Sequence, residues 1–321
     1  MSPSPMAVAH ALARLRLAAA AARAASGAWR GIDRDAPGPS WLAMLGPVIA
    51  AVAGAQLAAA RGTEPWLLAL LGEDPDRPES DRLVPESLAG VTGDGVPLVQ
   101  ALQVPVFTAL SLVTKGLPIV QALARGQLLL DLMVRTAVAD AGRAADQVGM
   151  TSRPGVTSYI RVVESGACSR CIILAGAEYG VSSGFLRHPR CHCGMEPVTR
   201  THHPKAQDPR KVVEAMSPAE KQRVFGQAGA RALDEGADLG QVVNARRGMA
   251  TATVFGRTVH VTSEGVTRRG LAGNRLQNFA KVKGQRYRVS QTPRLMPEEI
   301  FRLADDRAHA MRLLRLHGYL Y

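Results

Sequence analysis

The chain has 321 residues, of which 46% are apolar, so it is neither too short nor too polar to bury a core, and its length suggests two domains. Only 4% are aromatic, which leaves the packing mostly to Ala, Leu and Val, and Ala favours helices. The formal net charge of +12 is unevenly spread: residues 1–160 hold 13 Lys+Arg against 13 Asp+Glu, and residues 161–321 hold 26 against 14. A surplus confined to one half points to a polyanionic partner such as nucleic acid; the plain alternative is an Arg-rich solvated surface.

Residues 6–71 read as helices, with Pro39 and Pro47 as breaks. The first of them is Ala-rich with an Arg every several residues, and no secretory signal is expected. Residues 36–60 carry no charge and invite a membrane-spanning reading. Their Ala, Gly, Pro47 and Gln56 make them weakly apolar, so a buried helix is expected. Residues 72–97 contain four Pro and seven acids and read as an acidic Pro/Gly loop. Apolar residues then recur at three- and four-residue spacing through 98–147, which completes a helical domain over 1–150. SYIRVVESGA is a helix or strand leading into the first cysteine pair, and 199–211 is a linker.

A basic helical region follows over 212–321. Ser217, Pro218 and Glu220 spell a helix start with a capping box, and Asp238 starts a second, short helix that ends in Gly248. TATVFGRTVHVTS alternates around Gly256-Arg257 and predicts a β-hairpin over 251–263. Residues 265–294 hold eight Lys/Arg and no acid, which predicts a mobile stretch or one draped on something negative. Residues 296–320 read as one helix, with Gly318 as its C-cap. The expected fold class is therefore mainly α, with a small α+β module over 151–198, C-terminal helices and a hairpin.

All four cysteines lie in that module, as C-x2-C-x16-H-x2-C-x-C: Cys168, Cys171, His188, Cys191 and Cys193. A C-x2-C turn converges two thiolates, and a second pair from another segment completes a tetrahedron suited to structural zinc. Cys191 and Cys193 point the same way on an extended segment, which demotes the intervening His192. The sequence leaves open a four-cysteine set and one of three cysteines plus His188. Zinc would supply folding free energy, on the order of 10 kcal/mol for an isolated small site, to a window poor in large apolar residues. Two disulfides and a catalytic zinc are the competing readings; clustered thiols without a secretory signal suit a reducing compartment. Glu164, Glu178 and Glu196 stand close enough in sequence to serve as a base, but the deaminase order of motifs is absent. His202, His203 and His260 form no triad-like set with their surroundings, and no catalytic residue is assigned.

FLRHPRCHCGMEPV resembles the H-P-x-C-x-C ending of the phage Mu F-like minor head protein family, and CSRCIILAGAEYG matches the C-x2-C that family often carries upstream. SWLAMLGPVIAAVAGAQLAAA, VPESLAGVTGDGVPL, MSPAEKQRVFGQAGARALDEGADLGQVVNARRGM and LMPEEIFRLADDRAHAMRLLRLHGYLY resemble minor capsid proteins of actinobacterial tailed phages, so the resemblance covers nearly the whole chain. His192 departs from the charged residue usual between the last two cysteines and becomes an extra candidate ligand. The resemblance implies a virion head component, present in host cytoplasm during assembly. It would associate with portal and capsid proteins and assist head morphogenesis, DNA packaging or ejection. It implies no membrane partner and no small-molecule substrate. Non-specific contact with packaged DNA would use Arg268, Arg269, Arg275, Lys281, Lys283, Arg286, Arg288 and Arg294. The reading from another class is a DNA-acting nuclease or toxin-like enzyme derived from the same family, which metal-dependent nicking of DNA would reveal.

Overall fold

The computed structural model describes residues 3–76, 82–164, 166–185, 188, 189, 191, 193–254, 256–284 and 286–321. His192 and part of the acidic loop lie outside these. The protein is mainly helical with small antiparallel sheets. Its contacts divide it into two units: Met1–Ala167 with Ala175–Asp208, and Pro209–Tyr321 with Cys168–Leu174.

The first unit is built on α1 (Pro5–Trp29), α2 (Pro37–Arg61), α3 (Thr63–Leu71), α4 (Leu98–Ala101), α5 (Val104–Thr114) and α6 (Ile119–Thr151). Ser4 caps α1, its hydroxyl accepting from Ala7 N at 3.1 Å. One face of α1 buries Ala7, Ala11, Ala18, Ala21, Ala22 and Ala25, small residues that let its neighbours approach closely. α2 contributes Trp41, Leu45, Val48, Val52, Gln56 and Ala59 to the core at steps of three or four residues. Trp29 and Trp41 meet edge to face, with centroids 4.9 Å apart. Each indole N–H finds a carbonyl, Leu123 O at 3.1 Å and Leu102 O at 2.8 Å.

The two prolines do not break α2. Pro39 falls in its first turn, where no N–H is needed, and Pro47 sits inside the helix on its exposed side. The carbonyl of Ala43, which loses its helical partner there, is also on the exposed side, where water can replace it. The chain break lies at 30–36 instead. Buried Gln56 is fully used: it donates to Val91 O and Ala137 O and accepts from Gly90 N, tying the end of the acidic loop to the bundle. Pro37–Leu71 is long and apolar enough to cross a bilayer by length and composition, and 28% of its most apolar window is buried. The buried-helix expectation thus describes one face of α2 only.

Glycines set the distances to α6. A methyl group at Gly126 would come 2.6 Å from Trp29 Cζ2 and 2.9 Å from Pro105 O, whereas one at Gly54 on α2 would meet nothing within 4 Å. Gly126→Ala should therefore destabilise by about 1–3 kcal/mol through overpacking. Gly54→Ala should stabilise by up to about 1 kcal/mol through helix propensity. Paired denaturant titrations of the two variants check the contrast.

After α6 the chain forms a three-stranded antiparallel sheet in the order β2-β1-β3, from β1 (Ser158–Val162), β2 (Glu178–Gly180) and β3 (Gly194–Val198). SYIRV is thus a strand. Its register pairs Tyr159 with Tyr179 on one side and Pro197 on the other, and Val162 with Gly194.

The second unit holds α7 (Ser169–Ile172), α8 (Pro209–Glu214), α9 (Pro218–Asp234), α10 (Leu239–Ala245), β4 (Met249–Val254), β5 (Arg257–Thr262), α11 (Leu271–Leu276), β6 (Phe279–Ala280), β7 (Val289–Ser290), β8 (Arg294–Leu295), α12 (Pro297–Leu303) and α13 (Arg307–Leu316). Ser217 and Glu220 form the capping box of α9, and Asp238 caps α10. The β4–β5 hairpin forms with Val254 opposite Arg257, and β8 adds a third strand through Val261 and Leu295. The core gathers Ala232, Val242, Met296, Ile300, Leu314 and Tyr319. The single C-terminal helix expected from the sequence is two. Asp306 leaves helical geometry, and its carboxylate accepts from His309 N, capping α13. Gly318 follows α13 at φ +70° and lets Tyr319 N reach back to Leu314 O.

Candidate metal centre

Two short turns carry the cysteines. In the first, Cys171 N and Ile172 N both donate to Cys168 O, so Cys168 caps the one-turn helix α7. In the second, Cys191 N donates to His188 O at 3.0 Å, a tight turn that Pro189 favours by fixing its own φ. β3 begins at Gly194, directly after Cys193, so pairing with β1 anchors the second turn.

Cys171, Cys191 and Cys193 are buried, and all four thiols are free of disulfides. The ligand atoms of Cys168, Cys171 and His188 lie within 4.8 Å of one another, as do those of Cys171, Cys191 and Cys193. These five residues can therefore hold a metal ion, with Cys171 common to both groups. Cys168 Sγ and Cys171 Sγ are 3.6 Å apart, close to the ~3.8 Å edge of a tetrahedron with metal–sulfur bonds of about 2.3 Å. His188 Nδ1 donates to Pro189 O at 2.7 Å, so Nε2 is the nitrogen that would ligate a metal.

Three buried arginines surround the second turn, and the sequence did not reveal them. Arg143 donates to Cys191 O at 2.9 Å, Arg14 reaches Cys193 O at 3.5 Å, and Arg161 donates to Cys191 Sγ at 3.8 Å while stacking over Phe185. Arg143 is also paired with Asp140 at 2.5 Å, and Arg14 with Asp146 at 2.6 Å. The only local hint was Arg14 on an Ala-rich face; its partners stand more than a hundred residues away.

Glu164, just beyond β1, is buried, and its Oε1 has no hydrogen-bond partner among the described residues. Burial pushes its carboxyl up to about 7, and nearby Arg14 only partly offsets this. A raised carboxyl favours the folded state while protonated, so the contribution is full below pH 4.5 and is lost as pH rises to about 7. Glu164→Gln should remove that loss, gaining on the order of 2 kcal/mol over wild type at pH 8 and nothing at pH 4. Melting curves across that range read the difference. Glu178 is exposed on β2, whereas buried Glu196 on β3 accepts from Ser4 N at 3.0 Å and pairs with His202 at 3.2 Å.

The basic candidates fall into two classes. Arg268, Arg269, Lys281, Lys283, Arg286 and Arg288 are exposed. Arg294 is a correction: it is buried and donates to His317 O, Glu264 O and Gln241 Oε1, so it holds the second unit's core and cannot reach a phosphate. Arg275 is half-buried and donates to Arg315 O and Leu320 O, which closes the end of α13. Where mobility was expected over 265–294, the chain forms α11, the β6–β7 pair and β8. His260 is on β5, and its ring and backbone both meet Glu299.

Comparison with protein-family models, with curated proteins and with solved structures found no significant match.

Proposed function

We propose that the protein is a structural minor head protein of a tailed phage, stapled by one zinc ion. The observation that carries this reading is that ligand atoms of the C-x2-C and H-x2-C-x-C elements converge in two groups that share Cys171. The whole motif resembles the Mu F-like ending, and the burial and arginine shell suit a site that builds structure. Zinc fits a donor set of thiolates and one imidazole. Its chemistry there is structural, and the chain's own part is to supply Cys171 with three partners from Cys168, His188, Cys191 and Cys193. The reading places the protein at the portal vertex inside the head, in contact with portal and capsid proteins and, through the exposed basic residues of the second unit, with packaged DNA.

Fractionation of phage-infected cells tests it. The protein should travel with procapsids and portal complexes and be found in purified virions. Recovery wholly in the soluble host fraction, with none on heads at any stage, overturns the assignment.

A further inference from the structure

The basic stretch of the second unit does more than display charge. β6 and β7 pair antiparallel, Phe279 with Ser290 and Ala280 with Val289, so residues 281–284 and 286–288 lie on the two sides of a hairpin tip. Lys281, Lys283, Arg286 and Arg288 are all exposed on it. Lys281 Nζ donates to Arg286 O at 2.7 Å, tying the two sides of the tip together.

A second basic turn lies against the same hairpin. Thr267 bridges antiparallel to Val289, and Ser290 N donates to Val266 O. The chain turns away at Arg268 and Arg269, the two central residues of the turn that Gly270 N closes on Thr267 O, and both are exposed. The turn is held by bonds from Gly270 N to Thr267 O and from Gly273 N to Gly265 O, both 2.9 Å, and Gly265 has a positive φ. Six exposed like charges on two adjoining turns repel one another without a counter-charge. Elsewhere in this unit Arg247, Arg302 and Arg307 have carboxylate partners. None of the six exposed cations on the two turns forms an ion pair among the described residues.

Tyr287 stands in the middle of this charge. Its side chain is 55% exposed, and the Arg286 guanidinium lies 5.4 Å from its ring centroid. A duplex buries its base faces and offers such a ring nothing to stack on, whereas an unpaired strand offers them freely.

We propose that the β6–β7 hairpin and the 265–270 turn form a binding site for single-stranded DNA, with Tyr287 stacking on a base and Arg268, Arg269, Lys281, Lys283, Arg286 and Arg288 holding phosphates. The proposal rests on the nucleic-acid contact in the reading above and names its place and the form of DNA it takes. Arg268 and Arg269 on the turn and the four cations of the hairpin would hold the backbone, and the exposed Tyr287 ring, with Arg286 beside it, would stack on a base.

Fluorescence anisotropy of the full chain tests it, with labelled oligo(dT) and a duplex of equal length over a range of salt concentrations. The wild type should bind oligo(dT) more tightly than the duplex. Tyr287→Ala should weaken oligo(dT) binding by about tenfold and leave duplex binding nearly unchanged, while Tyr287→Phe keeps the affinity. Arg268→Ala should weaken binding and lower the salt slope on the single strand by roughly 0.7. If the wild type binds both DNAs equally, or Tyr287→Ala does not change oligo(dT) binding, stacking is wrong and only a phosphate-binding surface stands. If the wild type binds neither at low salt, the DNA contact itself falls. Tyr287 is exposed, so its variants should melt as the wild type does.

Discussion

Protein purified without chelator should carry one zinc per chain, and Cys171→Ser should abolish it together with much of the stability. Cys171 is the critical position because it belongs to both groups of converging ligand atoms, so its loss depletes either set. Isolated structural zinc sites are worth on the order of 10 kcal/mol of apparent binding energy. A larger chain retains its other packing, so a loss of about 5 kcal/mol is the reasonable scale, already comparable to the whole stability of many domains. The loss should also leave two buried thiols, Cys191 and Cys193, beside Arg143 and Arg161 with no ion to organise them. His188→Ala separates the ligand sets. If four cysteines hold the ion, the variant keeps its zinc; if His188 is the fourth ligand, zinc is lost or weakly held. Acid should release the ion in every variant that binds it, because protons compete for the thiolates. Elemental analysis paired with thermal melts reads all of these. A freshly reduced wild type with no metal would remove the zinc staple.

What was legible in the sequence was local. Ser217 with Glu220, and Asp238, announced helix starts because a cap is decided by residues three apart. The β4–β5 hairpin was legible because alternation and Gly256 lie within a dozen residues. The cysteine pairing was readable because two turns of fixed spacing bring ligands together almost by themselves. What was not legible depends on distant partners. Pro47 looked like a helix break, but its consequences are felt at Ala43, and both face outward. Arg294 looked like any other cation of a basic run until three acceptors from three other segments enclosed it. Gly126, Gly142 and Gly149 lie on α6, where propensity favours Ala, yet each stands under a side chain from another helix, Trp29, Arg14 and Leu67 in turn. Seven-residue spacing between the last two was a signal of one shared face, but only the packing shows what lies against it.

Asp146 should be the costliest single position outside the cysteine cluster. It is completely buried on α6 and receives His10 Nε2 at 2.8 Å, Arg14 at 2.6 Å and the Thr63 hydroxyl at 2.7 Å, so one carboxylate joins α1, α3 and α6. Burial by itself would raise its pKa. The charge and hydrogen bonds of His10, the charge of Arg14 and the bond from Thr63 outweigh that and hold it below the ordinary aspartate value. A depressed carboxyl stabilises the fold above the unfolded pKa near 3.9, and this contribution is lost as pH falls through the folded value. Asp146→Asn leaves the Arg14 guanidinium buried without its counter-ion. It should destabilise by about 3–5 kcal/mol at pH 7. The gap should then narrow in acid, where the wild-type carboxyl is itself protonated, so the two stability curves converge from opposite ends of one titration. The arrangement is also wired toward the cysteines, since the other end of Arg14 reaches Cys193 O. A metal-loaded Asp146→Asn variant should accordingly release zinc faster than the wild type, and a chelator challenge of the two folded proteins at pH 7 would read it. Equal release rates would mean that Arg14 holds Cys193 in place without help from its carboxylate partner.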